Sequence, residues 1–202
     1  MKKKIFAIIL VAVLAGVLIA NILNTSADKK KQSELEESYA VESADEKAKT
    51  KDMIGGSEGG LEKGDRAYPF ELKTLDGENV KLSDYQGKKV ILNFWATWCP
   101  PCQAEMPHMQ NFYETKAEEM NVEILAVNLT KADKGIEKVK SFVTDYGLTF
   151  PIPMDEKGVL GSKYQAFAIP TTYIIDTKGN IQNKIVGPMD EEMMIKLVKE
   201  VD

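Results

Sequence analysis

Cys99 and Cys102 are the two cysteines of this 202-residue chain, and Pro100 and Pro101 separate them. Two thiols this close can close a disulfide on one another or supply part of a metal site. The first option supports thiol–disulfide exchange. There, a thiolate attacks a disulfide sulfur and a second thiol resolves the mixed disulfide. The flanking sequence favours it. The run Val90-Ile91-Leu92-Asn93-Phe94-Trp95 reads as a buried strand, and 103–119 reads as a helix. Unpaired N–H groups and the helix dipole favour negative charge at a helix N-terminus. Such a site lowers a thiol pKa from about 8.5 by one to several units. Cys99 is therefore the expected attacker and the more exposed thiol. Cys102, one turn further in, is the expected resolver. Pro100 and Pro101 suit a first helical turn, where a missing N–H costs nothing.

Two other readings fit less well. A closed structural zinc site usually takes four Cys or His ligands. The chain has two Cys and one His, His108, so no metal site is expected. A purely structural disulfide around so short a loop would constrain the unfolded chain little.

The elements that must hold these thiols lie toward the C-terminus. Met1-Lys2-Lys3-Lys4 is a basic head, and 5–23 carries no charged residue. At 1.5 Å per residue, nineteen residues make roughly 28 Å of helix, enough to cross a bilayer core. A cleaved signal peptide is the competing reading. The apolar stretch is long for one, and Thr25-Ser26-Ala27 is a poor cleavage site. The expectation is an uncleaved anchor over 1–23. The basic head stays inside, although Lys29-Lys30-Lys31 on the far side counts against that orientation. The redox domain then faces the extracytoplasmic side of the cell membrane, where disulfides persist. Segment 24–60 is rich in charged and small residues and ends in Gly55-Gly56-Ser57-Glu58-Gly59-Gly60, so it reads as a flexible linker. The net charge of −5 points to no nucleic-acid partner.

Residues 61–202 suffice for one domain. Strands are expected over 67–73 and 79–82, turning at Asp76-Gly77, then over 90–95 and 122–129. A helix with Ile136, Val139, Phe142 and Val143 on one face is expected over 133–146. A short helix over 157–167, a hairpin over 171–176 and 181–186, and a helix over 190–201 capped by Asp190 complete the order. This points to an α/β fold with a mixed sheet.

With these motifs the chain resembles thioredoxin-fold proteins. Among them it is similar to the membrane-anchored, extracytoplasmic thiol–disulfide oxidoreductases of the ResA/TlpA type. The resemblance rests on Asn93-Phe94-Trp95-Ala96-Thr97-Trp98-Cys99-Pro100-Pro101-Cys102, on Glu105 and Pro107, on Ile169-Pro170-Thr171-Thr172, and on the Gly179 hairpin. It implies a thioredoxin-like fold with an added N-terminal β-hairpin and a catalytic pair Cys99 and Cys102. It also implies a cis Pro170 facing the disulfide, with Ile169 free to pair with a client strand. Trp98 and Pro100 join Ile169 and Pro170 as the expected client-binding surface. Glu105 is expected to line the site and tune the thiols as a third catalytic residue, because Asn93 stands where thioredoxin has its buried acid. Pro107 is expected to kink the helix, His108 to be a surface residue, and Met106 and Met109 to pack.

The implied activity is reduction of disulfides in extracytoplasmic proteins such as apocytochrome c or spore-envelope proteins. The implied electron donor is a membrane protein of the CcdA/DsbD kind, and the chain is read as a monomer. No cofactor is expected. Pro100 departs from the best-known ResA-type motif, which has Glu there. The same dithiol could instead oxidise or shuffle client disulfides, or the chain could be a tethered client-binding module. A thiol peroxidase is disfavoured, because Ala96 stands where the peroxidase signature Pro-x-x-x-Thr-x-x-Cys requires Thr.

Overall fold

Strand β3, Lys89–Trp95, is buried on both faces, as its near-continuous apolar sequence requires. Side chains alternate across a strand. Ile91 and Trp95 enter one core, and Val90, Leu92 and Phe94 enter the other. In the computed structural model, which describes residues 59–201, β3 is an inner strand of a four-stranded mixed sheet. The expected anchor over 1–23, and the expected linker up to residue 58, lie outside the described residues.

Two short strands come first: β1, Glu71–Lys73, and β2, Asn79–Lys81, pair antiparallel as a separate hairpin. After β3 come helix α1, Pro100–Phe112, and strand β4, Val122–Asn128, parallel to β3. Helices α2, Ile136–Asp145, and α3, Val159–Lys163, follow. Strands β5, Thr171–Ile175, and β6, Ile181–Val186, form the second hairpin, and β5 runs antiparallel to β3. Helix α4, Glu191–Lys199, closes the chain, and its cap Asp190 accepts from the Met193 N–H at 2.8 Å. The sheet order is β4-β3-β5-β6. Among the described residues, no helix is long and apolar enough to cross a membrane.

One face of the sheet packs on α1, α2 and α4 through Met106, Met109, Phe112, Val139, Phe142, Met194 and Val198. The other packs on Leu160 and Tyr164, with Val80 from the hairpin. The polar groups that enter these cores at Trp95, Tyr164 and Tyr173 are all satisfied, as burial demands, the Tyr173 hydroxyl by the Tyr164 carbonyl at 2.6 Å. Trp95 Nε1 donates to the Ala126 carbonyl at 3.0 Å, and the Tyr164 hydroxyl donates to the Tyr68 carbonyl at 2.6 Å.

Four elements differ by more than two residues at one end from the sequence reading. Helix α1 starts at Pro100, earlier than 103, and gives way after Phe112 to a π-turn over Tyr113–Ala117. The strand expected over 67–73 shortens to Glu71–Lys73. Residues before it are spent elsewhere: Ala67 N–H donates to the Gly179 carbonyl, and Pro69 has no N–H for a ladder. Helix α2 begins at Ile136 because Gly135, at φ 99°, sets its entry and Asp133 is bonded outside it. The helix expected over 157–167 is only Val159–Lys163, with Gln165 at φ 50° beyond its end. The expected linker end is also modified: the Gly60 N–H donates to the Arg66 carbonyl at 2.9 Å.

Tyr164→Phe removes the hydroxyl and leaves the Tyr68 carbonyl without its partner. This should cost about 1–2 kcal/mol of unfolding free energy, measured by urea denaturation at constant m-value.

Candidate active site

Cys99 and Cys102 are joined in a disulfide, with Cα atoms 5.2 Å apart. The bond sits where β3 ends and α1 begins. Cys99 is the N-cap of α1, with extended backbone, and Pro100 and Pro101 occupy the first two helical positions. Neither proline has an N–H. The first N–H of the helix is that of Cys102, and it donates to Cys99 Sγ at 3.2 Å. The next, that of Gln103, is already bonded to the Cys99 carbonyl at 3.0 Å. The sulfur therefore receives one backbone donor from the first turn. Cys99 is 2% exposed and Cys102 fully buried. The order of exposure is as expected, but the opening at Cys99 is narrow.

Ile169–Pro170 is the cis peptide among the described residues. It lies against the disulfide, with the Ile169 carbonyl oxygen 3.5 Å from Cys99 Sγ. The β5–β6 hairpin supports it from behind. Thr171 pairs with Val186 across the ladder, and the Gly187 N–H donates to the Pro170 carbonyl at 2.8 Å. Gly187 takes φ 110°, a conformation open to glycine. Trp98 is 43% exposed, and its indole N–H donates to the Ala132 carbonyl at 3.0 Å. Trp95 is buried core; His108 and Pro107 are exposed, and Met106 and Met109 are buried.

Glu105 is fully buried rather than lining an open cavity. Cys102, Glu105, Met106 and Met109 recur at helical spacing on the buried face of α1. Glu105 Oε1 accepts from the Met189 N–H at 3.1 Å, and Oε2 accepts from Asn93 Nδ2 at 3.2 Å. Asn93 Nδ2 also donates to Thr172 Oγ1 at 2.9 Å. Burial pushes the Glu105 carboxyl up to about 7, and the donors Met189 and Asn93 hold it from rising further. The other end of that amide, Asn93 Oδ1, is buried without a partner. The network ties β3, α1, β5 and the loop before α4 together behind the disulfide.

Asp133 is a site residue that sequence reasoning missed. Its Oδ2 accepts from the Thr97 N–H at 2.8 Å and from Asn128 Nδ2 at 2.8 Å. Its Oδ1 accepts from the Lys134 N–H at 2.7 Å and from the Thr97 hydroxyl. These donors hold its carboxyl below the usual carboxylate range, against the opposing effect of burial. With the Trp98 indole bonded to Ala132, they strap the β4–α2 loop to Thr97 and Trp98, immediately before Cys99. Gln103 Nε2 completes the strap by donating to the Thr97 carbonyl at 2.7 Å. In the sequence Asp133 stood as the first residue of a helix expected over 133–146, and only the approach of β4 to β3 shows that it serves Thr97.

A family model described as the AhpC/TSA family matches residues 63–184. The chain belongs to the AhpC/TSA family. It is 47% identical over 135 residues to the thioredoxin-like protein YneN of Bacillus subtilis, covering 67% of this chain and 78% of that protein. It is 37% identical over 131 residues to sporulation thiol-disulfide oxidoreductase A of the same organism, covering 65% and 78%. The crystal structure of StoA from Bacillus subtilis matches with a TM-score of 0.59 and 36% identity, over 64% of this chain and 96% of that one. The fold of this AhpC/TSA-family chain is therefore thioredoxin-like, with a mixed sheet and flanking helices, as the resemblance implied.

Two outcomes follow for this AhpC/TSA-family site. The carboxyl of Glu105 is easier to protonate in the fold than in the unfolded chain. Between about pH 4.5 and 7 the native state holds the extra proton, so stability is full at the acid end and falls as pH rises. At 1.36 kcal/mol per pH unit the fall is at most about 3 kcal/mol. Glu105→Gln should remove that slope in urea titrations across this range. Asp133→Asn sets an NH2 group against the donors on Thr97, and should lower stability by about 1–3 kcal/mol and raise the accessibility of Trp98 to acrylamide quenching.

Proposed function

We propose that this chain is a protein-disulfide reductase, anchored in the cell membrane by its N-terminus, with its redox domain on the extracytoplasmic side. The observation that carries the reductase direction is the proline pair. A dithiol whose thiolate is strongly stabilised has a stabilised reduced form and is an oxidant. Here Pro100 and Pro101 remove two of the N–H groups that would stabilise a Cys99 thiolate, and the Cys102 N–H remains as the one first-turn donor to the sulfur. The reduced form is correspondingly less stabilised and gives up its electrons more readily.

The reaction balances as ordinary exchange. The reduced Cys99 thiolate attacks one sulfur of a client disulfide, the client S–S bond breaks, and the other client sulfur leaves as a thiolate that takes up a proton. Cys102 loses its proton and attacks Cys99. The mixed disulfide breaks, the Cys99–Cys102 bond forms, and the second client thiol is released. Two electrons pass to the client. Glu105, one turn beyond Cys102, changes protonation near neutral pH, so it suits the role of a group that holds or yields a proton as the thiols change state. Re-reduction then requires a membrane electron donor, for which the CcdA/DsbD kind is the class we favour. The relatives' printed names, thiol-disulfide oxidoreductase among them, support the chemistry. We favour disulfides of extracytoplasmic proteins, with apocytochrome c as one client class, and a chain that works as a monomer.

The reduction potential of the full chain in detergent, equilibrated with defined thiol buffers, tests the direction. A value near or below about −250 mV supports a reductase, and one between about −180 and −120 mV makes it a disulfide donor or shuffler. Cys102→Ser should accumulate covalent complexes with clients that dithiothreitol dissolves. Pro101→Ala restores the N–H of the second helical position, which can point at an N-cap side chain, and should lower the Cys99 thiol pKa, read by thiolate absorbance, and make the potential less negative.

A further inference from the structure

Three segments that meet at the disulfide, 95–104, 164–173 and 185–189, hold no charged residue in a chain of which 28% is charged, whereas the 130–134 loop bonded to Thr97 and Trp98 carries Lys131, Asp133 and Lys134. Their meeting is shown by three contacts: Ile169 O with Cys99 Sγ, Gly187 N–H with Pro170 O, and Met189 N–H with Glu105. The outer side of this rim is apolar, and its extreme is Phe167, 81% exposed, with Val186 at 61% and Trp98 at 43%. Scattered apolar side chains on a surface are ordinary, whereas a cluster around one reactive group marks a contact surface. Phe167 also stands on a segment with free backbone. The N–H groups of Phe167, Ala168 and Ile169 make no hydrogen bond among the described residues.

Any client must bring its sulfur to Cys99 Sγ, and Ile169 O is 3.5 Å from that atom. Phe167 is two residues from Ile169, within about 7 Å along the chain at full extension. The client residues that reach Phe167 are therefore those next to, or two positions from, the reacting cysteine. We propose that Phe167 is a specificity-determining residue that selects client segments with apolar side chains flanking the reacting cysteine. This rests on the exchange reaction proposed above and names the chemistry of its client. An acidic flank would lose its hydration against the Phe167 ring, and the segment 164–173 around that ring holds no cation to replace it.

The test uses the reduced full chain in detergent under single-turnover conditions. The oxidants are two disulfide-bonded peptides, identical except that both positions on either side of the cysteine are Leu in one and Asp in the other, and glutathione disulfide as a small control. The expected result is a second-order rate constant about tenfold higher for the Leu peptide. Phe167→Ser should abolish that preference with the glutathione rate unchanged, and Phe167→Leu should keep it. Equal rates on both peptides in the unaltered chain, or a preference that survives Phe167→Ser, would overturn the proposal while leaving the exchange reaction standing. No reaction with any of the three disulfides would remove the exchange reading itself, and this inference with it.

Discussion

The junction between β3 and α1 is the constraint on which the site depends. One residue, Cys99, lies four positions beyond the end of the strand, caps the helix and carries the reactive sulfur. Because it is the N-cap, its sulfur lies where the orphan N–H groups of a helix point, and because the next two residues are prolines, just one such group reaches it. The same geometry fixes Cys102 one turn further in and fully buried. Reactivity at the first sulfur and shelter at the second are thus two consequences of one helix start.

The surrounding structure holds that junction from three sides. Asp133 and Ala132 bind Thr97 and Trp98 on the strand side. The Ile169–Pro170 segment stands against the sulfur, held by the β5–β6 hairpin through Gly187. Behind it, Glu105, Asn93 and Thr172 form a polar network inside an apolar core. A buried carboxyl without a cation is costly unless it takes a proton. That is why this network answers to pH near neutrality, whereas Asp133, with four donors, stays ionised.

The rim has a different physical character from the network. It is apolar and exposed, which suits recognition, while the network is enclosed and ties β3, α1, β5 and the loop before α4 together. The aromatic residues divide along the same line. Trp95, Tyr164 and Tyr173 are enclosed in the two cores, whereas Trp98 and Phe167 face solvent.

The sequence by itself determined the chemistry and the layer order. A two-residue spacing between the thiols, an apolar run before them and prolines at a helix start are local features, and local features dictate strand, turn and helix. Tertiary structure alone decided what the polar groups do. A buried Glu105 and a solvated one have the same sequence signature. The loop that feeds α4 closes over this carboxyl and supplies the Met189 N–H, which leaves it enclosed. Asp133 looked like the start of a helix, and the parallel pairing of β3 with β4 brought it to Thr97, 36 residues away. The exposure of Phe167 was equally hidden, since the residue stood at the end of the helix expected over 157–167, and that helix ends at Lys163 with Phe167 beyond it and exposed. Hydrogen-bond partners and burial at these positions are set by residues distant in the chain, and a local pattern does not encode them.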